Sequence, residues 1–521
     1  MLTRLKISGF KNLVDVDLYF GAFTCIAGAN GVGKSNLFDA IQFLSALSDR
    51  PLIDAAQSVR DESGKSTDIR SLFHRIGDEY GTEISFEAEM IIQKEGIDDL
   101  GQEAKASSTF LRYSLKLCYR ESKNLLHSFS TLGLGSLEIL EESLVHIKKM
   151  DRQGHLPFEP SNSWTDSIFQ AQRRTAPFIS TETDKDKQQT FIRIHQDSGA
   201  GGKRRKGEGT RQRKFLASNL PRTVLSDANA TESPTVLLAK LEIQSWQCLQ
   251  LEPLALRSPD PFLAPTRLNS DGSHLPATLY RLANRYLQDI GELKEEDIYE
   301  KIEEVYSQVA NSLSELIDDI RAIYVDRDEK RQLLTLQIID REGTTHPARS
   351  LSDGTLRFLA LAVLSLDPEA RGLICLEEPE NGIHPERIPA ILHLLQQIAT
   401  DINQEVNDYN PLRQVIINTH SPAVVQQIPD DSLVIAEPKQ VVQNKRRFKV
   451  IKFSSLRKTW RASIDLSSIV SKGKLLSYLN PVALDIPSIN NNHPTSQNKG
   501  VCRVIDRPDM RQLNLFPESP E

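Results

Sequence analysis

At 521 residues the chain is longer than one hydrophobic core usually serves, so two or three domains are expected. Hydrophobic residues at 39% suffice for a globular interior, and no run approaches the roughly 18 apolar residues that cross a bilayer. A formal charge of −7 excludes a uniformly basic nucleic-acid coat but leaves room for a local positive groove. Cys25, Cys118, Cys248, Cys375 and Cys502 are too scattered for a zinc knuckle or a disulfide framework and read as ordinary buried thiols. The opening residues lack an apolar leader, so a cytoplasmic location is expected.

Leu5 to Ile7 alternates like a strand, turns at Gly9-Phe10-Lys11-Asn12 and continues as a second strand from Val14 to Phe20. A third strand, Phe23 to Ala27, runs into Gly28-Ala29-Asn30-Gly31-Val32-Gly33-Lys34-Ser35, a complete G-x-x-x-x-G-K-S loop. Its glycines permit a tight turn whose amides face phosphate. Lys34 suits the β- and γ-phosphates of a nucleotide and Ser35 a Mg²⁺ ion. The following helix carries Leu37, Ile41, Leu44 and Leu47 on one face and is expected to stop by Pro51.

Alternating runs between Ile84 and Leu117, with Leu137 to Ile147 and Phe191 to Ile194, predict an antiparallel sheet. Thr181 to Gln189 and Asp197 to Gly209 read as loops, the second disordered in isolation. Ser233 to Leu251 and Leu275 to Ile320 read as helical, and Ala322 to Asp326 with Leu333 to Asp340 as a strand pair.

From Leu351 the rhythm becomes strictly α/β. A helix with Leu356, Leu359, Ala360, Val363 and Leu364 precedes Leu373 to Leu376, apolar throughout as a covered parallel strand would be. That strand delivers Glu377 and Glu378 to the end of the sheet where ligands bind. Adjacent strand carboxylates point apart, so Glu377 suits the magnesium shell and Glu378 the attacking water. A helix, Pro385 to Ile398, leads to a second apolar strand, Val415 to Ile417, which ends in Asn418-Thr419-His420-Ser421. There a neutral His420 can sense a γ-phosphate. Beyond Lys439 the chain turns basic and polar and is hard to assign.

These stretches together resemble the RecF/SMC-like branch of ABC ATPases, and within it the stand-alone AAA_21/AAA_15-type ATPases related to the ATPase half of OLD-family nucleases. The resemblance rests on Leu5-Lys6-Ile7-Ser8-Gly9-Phe10-Lys11-Asn12-Leu13, the glycine loop through Asn36, Leu351-Ser352-Asp353-Gly354-Thr355-Leu356-Arg357, Glu377-Glu378-Pro379-Glu380-Asn381-Gly382-Ile383-His384-Pro385 and Thr419-His420-Ser421-Pro422. It implies an α/β fold: an ABC-type P-loop ATPase head with mixed β-sheets and an inserted helical lid or arm. The implied parts are an N-terminal ATPase lobe (1–200), a basic loop and helical insertion (201–330), a C-terminal ATPase lobe (331–438) and a basic extension and tail (439–521). ATP contacts are implied at Asn30, Gly31, Gly33, Lys34, Ser35 and Asn36, with Mg²⁺ at Ser35 and Glu377, the latter where relatives more often carry aspartate. Lys34, Glu378 and His420 take the catalytic roles. Ser352, Gly354 and Thr355 form a signature loop that completes the site of a second subunit, and Glu380 to His384 the loop that crosses between paired sites. A glutamine-bearing loop is expected within Asp68 to Tyr80.

The resemblance implies slow Mg²⁺-dependent ATP hydrolysis that drives a homodimer, or a higher even oligomer, to close head to head. One output is DNA, through Lys203-Arg204-Arg205-Lys206, Arg211, Arg213 and Lys214, or through Lys445 to Arg461 with Phe448 and Trp460 interspersed. Another is a separately encoded nuclease or toxin effector, in DNA repair or anti-phage defence. The alternative is a non-hydrolysing, nucleotide-dependent scaffold for such an effector. No intrinsic nuclease arrangement and no membrane association are expected. Gln512-Leu513-Asn514-Leu515-Phe516 resembles a peptide that docks on the replication sliding clamp.

Overall fold

Strands buried along almost their whole length set the centre of the molecule. Phe23–Ala27 and Arg413–Thr419 are buried at every position, and Gly372–Glu377 at all but its last. Strands without a solvent-facing side are covered on both faces, which is how parallel sheets lie in α/β folds. They form a six-stranded sheet in the order Gln247–Leu249, Gly372–Glu377, Arg413–Thr419, Phe23–Ala27, Leu433–Gln443, Arg446–Ser455. Neighbours are parallel except the final pair, an antiparallel hairpin. The computed structural model describes residues 1–470 apart from 60–67, 122–134, 149–154, 157, 172–175, 185–188, 198–212, 286–294, 318, 444–445 and 465–467.

A second, eight-stranded antiparallel sheet runs Arg213–Leu216, Gln189–Ile194, Ile179–Asp184, Ser136–His146, Phe110–Arg120, Glu83–Ile91, Leu2–Ser8, Val16–Tyr19. Its strands alternate between buried and solvated residues, as one-sided packing requires. The helix Lys34–Leu47 fills the space between the two sheets. Leu37, Phe38, Ile41 and Leu44 share one core with Leu5, Phe86 and Leu115 of the larger sheet and Leu373, Cys375 and Ile416 of the smaller. Phe10, Phe43 and Phe86 stack there with ring centroids 5.8 to 6.0 Å apart. On the far side of the six-stranded sheet a second core joins the helices Leu275–Asn284, Glu295–Ser314, Asp353–Leu366 and Ile388–Ile398 to the small sheet that contains Ile320–Asp328 and Leu333–Asp340. Among the described residues no helix is long and apolar enough to cross a membrane.

Three local expectations need correction. Thr181 to Asp184 is strand, not loop: its alternating threonines pair with Gln189–Ile194 inside the larger sheet. The helical reading of Ser233 to Leu251 holds only for Pro234–Gln244, because Gln247–Leu249 becomes the edge strand of the central sheet. Ile320 already belongs to a strand. The first helix ends at Leu47, before Pro51 as expected, and Pro51 then stands at the N-cap of a further short helix, Leu52–Gln57.

Glu142 illustrates how the larger sheet is held. Its fully buried carboxylate accepts hydrogen bonds from the amides of Val224 and Leu225, each at 2.8 Å, and from the Tyr113 hydroxyl at 3.2 Å. Burial pushes this carboxyl up from 4.5 to about 7, against the pull of those donors. The folded state therefore binds more protons than the unfolded one between these values, and Glu142 makes stability fall as pH rises through that window. Melting temperature measured from about pH 4.5 to 8 should show this decline, and Glu142→Gln should flatten it. An unaltered slope in the variant would contradict the assignment.

Candidate nucleotide site

The glycine loop is braced from two directions. Gly28 donates its amide to the Thr419 carbonyl at 3.1 Å, which ties the loop to the neighbouring strand. On the outer side Asn12 Nδ2 donates to the Val32 carbonyl at 2.8 Å and Asn12 Oδ1 accepts from Asn36 Nδ2 at 2.8 Å. Lys11 adds an ion pair to Asp39 at 2.8 Å. Gly33 has φ 103, and a Cβ there would overlap the Asn12 side chain, so only glycine fits. Asn30 and Gly31 lie exposed at the tip, while Lys34 is buried at the helix start. Lys34 Nζ donates to the carbonyls of Gly28 and Ala29 at 2.7 and 3.0 Å. Burial lowers the pKa of its ammonium, opposed by the charges of Glu378, Glu380 and Glu377.

The acidic end is as tightly specified. Glu377 closes its strand and Glu378 turns the chain with φ 46, a left-handed conformation that costs an L-residue roughly 1–2 kcal/mol. The turn persists because the Glu378 amide donates to both the carbonyl and Oδ1 of Asn418, at 3.0 and 3.1 Å. Glu378 Oε2 accepts from Asn381 Nδ2 at 2.8 Å, and Oε1 lies 2.6 Å from His420 Nδ1. Burial acts to raise the Glu378 carboxyl, but the bonds to Asn381 and His420 and the charges of His420 and Lys34 outweigh it and hold it below the usual range. Glu378 is thus ionised at neutral pH. Glu380 is its opposite: burial raises it despite a hydrogen bond from the Thr419 hydroxyl, and its Oε2 is buried without a partner.

The signature residues sit where a helix begins. Ser352 caps Asp353–Leu366 by accepting from the Thr355 amide at 3.2 Å, and the two hydroxyls lie 2.8 Å apart. Ser352 is exposed, whereas Gly354 and Thr355 are buried. A Cβ on Gly354 would come within 2.5 Å of the Gly382 carbonyl, so the signature loop packs directly on the turn after the acidic strand. Arg257 holds it from the other side, donating to the Leu351 carbonyl at 2.8 Å and pairing with Asp353 at 2.6 Å.

Two residues had no role in the sequence reading. Gln250, immediately after the edge strand, lines a cavity of about 290 Å³ together with Glu377, Glu378 and Arg357. Arg357 donates to the Leu251 carbonyl at 3.2 Å and the Asn381 carbonyl at 2.7 Å, so it ties the signature helix to the loops beyond both strands. Asp68 to Tyr80, where a glutamine loop was expected, contains no glutamine. It packs on the Gly9–Asn12 turn instead, with His74 Nδ1 2.7 Å from the Lys11 carbonyl. Gln247 to Leu249 is too short to show a strand period, so no local pattern marked Gln250.

Only part of the basic stretches lies among the described residues. Lys203 to Lys206, Arg211, Lys445 and Gln512 to Phe516 lie outside the described residues. Arg213 pairs with Asp227 at 2.5 Å, and Lys214 lies over the Phe191 ring. Arg446 reaches Glu79 at 3.2 Å, while Arg447 and Lys449 are exposed on the hairpin. Arg461 must be removed from the phosphate-contacting set. It is only 6% exposed and donates to the Tyr19 carbonyl, the Thr24 hydroxyl and the Asp431 carbonyl, with Trp460 stacked on its guanidinium.

A glycine loop closed on a buried lysine, beside a strand end that presents an ionised glutamate bonded to a histidine, defines a P-loop nucleotide-binding α/β protein. The chain belongs to the AAA_21 family, described as "AAA domain, putative AbiEii toxin, Type IV TA system", whose profile matches residues 23–113 and 257–426. A stretch of 46 residues, 9% of the chain, is 50% identical to DNA replication and repair protein RecF of Bacteroides fragilis, and it spans 12% of that protein's length. The RecF of Bacteroides thetaiotaomicron is 48% identical over 46 residues, again 12% of its length. Among solved structures, an SMC head bound to the C-terminal winged-helix domain of ScpA is 12% identical over 88% of this chain and 99% of its own, with a TM-score of 0.42. The SMC head domain of Thermotoga maritima is also 12% identical, covering 88% and 99%, with a TM-score of 0.33.

Because the loop geometry leaves no room beside Asn12, Gly33→Ala should abolish the rise in melting temperature produced by Mg-ATP. Asn12→Ala, which removes only a brace, should keep part of it. Equal nucleotide shifts in wild type and Gly33→Ala would refute the loop as the phosphate cradle.

Proposed function

We propose that the chain is a Mg²⁺-dependent ATPase in which Glu378 activates the attacking water. The observation that carries this reading is the ionised, doubly hydrogen-bonded Glu378 carboxylate held between Asn381 and His420. On ATP binding Lys34 exchanges the Gly28 and Ala29 carbonyls for the β- and γ-phosphate oxygens. Glu378 accepts the proton of the attacking water, His420 steadies the γ-phosphate end, and the Gln250 side-chain amide orients the water from the cavity that Gln250 and Glu378 line. Asn30, Gly31, Gly33 and Asn36 complete the cradle.

The donor set suits magnesium. Among the described residues no group of three or more His, Cys, Asp or Glu side chains could hold a metal alone. Mg²⁺ needs no such cage, since it takes one or two protein oxygens and completes its shell with phosphate and water. Ser35 and Glu377 would supply those oxygens, and on the loop after Glu377 the buried Glu380 Oε2 has no hydrogen-bond partner. When bound, the ion neutralises charge building between the β- and γ-phosphates.

Two copies close head to head, the exposed Ser352 of each, with Gly354 and Thr355 behind it, reaching the other's nucleotide. Closure regulates DNA engagement or a separately encoded nuclease or toxin, in repair or anti-phage defence in the cytoplasm. RecF's description as a replication and repair protein favours the first, with the exposed Arg447 and Lys449 as backbone-phosphate contacts. The toxin in the family's description favours the second. The sliding clamp is a further proposed partner, through Gln512 to Phe516. A non-hydrolysing scaffold would bind ATP with the same loop.

Glu378→Gln should retain ATP binding and lower turnover by at least about a hundredfold, the scale of a lost general base, whereas Lys34→Ala should weaken binding itself. Unchanged turnover in Glu378→Gln would remove the assigned base, and ATP binding without turnover in the wild type would select the scaffold. For assembly, mixing Lys34→Ala with Ser352→Arg protein should restore one composite site and part of the turnover that neither possesses alone. Mixtures as inactive as their parents would rule out the shared site.

A further inference from the structure

Cys248 and Cys375 stand directly opposite each other where the edge strand Gln247–Leu249 pairs in parallel with Gly372–Glu377. Neighbouring strands lie about 4.8 Å apart, and residues in register project from the same face. That spacing falls within the roughly 4.4–6.8 Å between Cα atoms that a disulfide spans. Cys248 Sγ donates to the Phe38 carbonyl at 3.6 Å, and both cysteines belong to the core that the helix after the glycine loop fills. Cys248 is half-buried and Cys375 fully buried. Two residues beyond each stand Gln250 and Glu377, which line one cavity.

We propose that Cys248 and Cys375 are a reversible thiol-oxidation site whose disulfide locks the edge strand to the acidic strand. The oxidant is a small disulfide such as glutathione disulfide. The thiolate of Cys248 attacks one of its sulfurs, the S–S bond breaks, and one glutathione leaves as thiolate. Cys375 sulfur then attacks Cys248 Sγ, forming the protein disulfide and expelling the second glutathione, which takes up the Cys375 proton. Two protein thiols are oxidised and one external disulfide is reduced to two thiols. The order follows from accessibility: Cys248 is half-buried and Cys375 fully buried, so Cys248 meets the external disulfide first and Cys375 resolves.

The lock acts on a weakly held element. The edge strand has three residues and pairs with the sheet on one side. Beyond it, the Gln250 amide donates to the Ser270 carbonyl at 2.7 Å and the Leu251 carbonyl accepts from Arg357. A covalent tie at Cys248–Cys375 fixes the approach of Gln250 to Glu377 and resists any sliding of the edge strand along the acidic strand.

The full-length protein, treated with glutathione disulfide, alkylated and digested without reduction, should yield a peptide linking Cys248 to Cys375. Cys375→Ser should stop at glutathionylated Cys248, and Cys248→Ala, at the half-exposed position that tolerates change, should leave Cys375 reduced. A folded wild type that stays reduced, or that stops at the mixed disulfide, would overturn the site. This outcome does not depend on the ATPase reading. With that reading, oxidation should slow ATP turnover and dithiothreitol restore it in the wild type, with Cys248→Ala indifferent to both. A linked peptide with unaltered turnover would overturn the lock while leaving the ATPase intact.

Discussion

Asn418 and Thr419, at the end of the central strand, hydrogen-bond in both directions. On one side the Thr419 carbonyl holds the Gly28 amide at the mouth of the glycine loop. On the other, the Asn418 carbonyl and side chain together hold the Glu378 amide in its left-handed turn, and the Thr419 hydroxyl donates to Glu380. The separation between cradle and carboxylate is therefore set by the width of a single strand. Such a strand cannot shift without breaking buried hydrogen bonds on both flanks, each expensive to leave unmade. His420, the next residue, inherits this fixed position and meets Glu378.

That arrangement depends on parts of the chain hundreds of residues apart. The strand carrying the glycine loop, the acidic strand and the central strand are brought into register by apolar faces that no shorter segment could cover alone. The helix Lys34–Leu47 belongs to the core between both sheets, so the larger sheet, though it supplies no proposed catalytic side chain, fixes the helix on which Lys34 and Ser35 stand. The family profile matches 23–113 and 257–426. The residues between those matched segments contain the outer strands of the larger sheet, Glu142, the edge strand and Gln250. The part outside the match thus includes the wall of the cavity beside Glu377.

Legibility in the sequence followed how local the physical cause was. The glycine loop and the run Leu373 to Leu376 were readable because their demands, φ freedom for wrapping an anion and burial on both faces, are met by adjacent residues. The Glu378–His420 pairing was not readable as geometry, since it depends on two strands being neighbours. Gln247–Leu249 was hidden because three residues carry no periodicity and Trp246 and Leu251 extend an apparent helix. Thr181 to Asp184 looked like a loop since a polar outer strand shows little burial. The hairpin Leu433–Gln443 with Arg446–Ser455 was obscured by Pro438 and by its charge, and Arg461 misled because a guanidinium can be buried when backbone carbonyls accept from it.

The central claim is that Glu378 acts as an ionised base whose pKa is held down by Asn381 and His420. The direct measurement is the acidic limb of ATP turnover against pH at saturating Mg-ATP, for wild type and Asn381→Ala. A depressed carboxyl stays ionised to lower pH, so wild-type turnover should persist below the ordinary glutamate range. Loss of the Asn381 bond raises that carboxyl, and the limb should move to higher pH while the plateau above it is largely kept. Limbs that coincide in the two proteins would contradict the account.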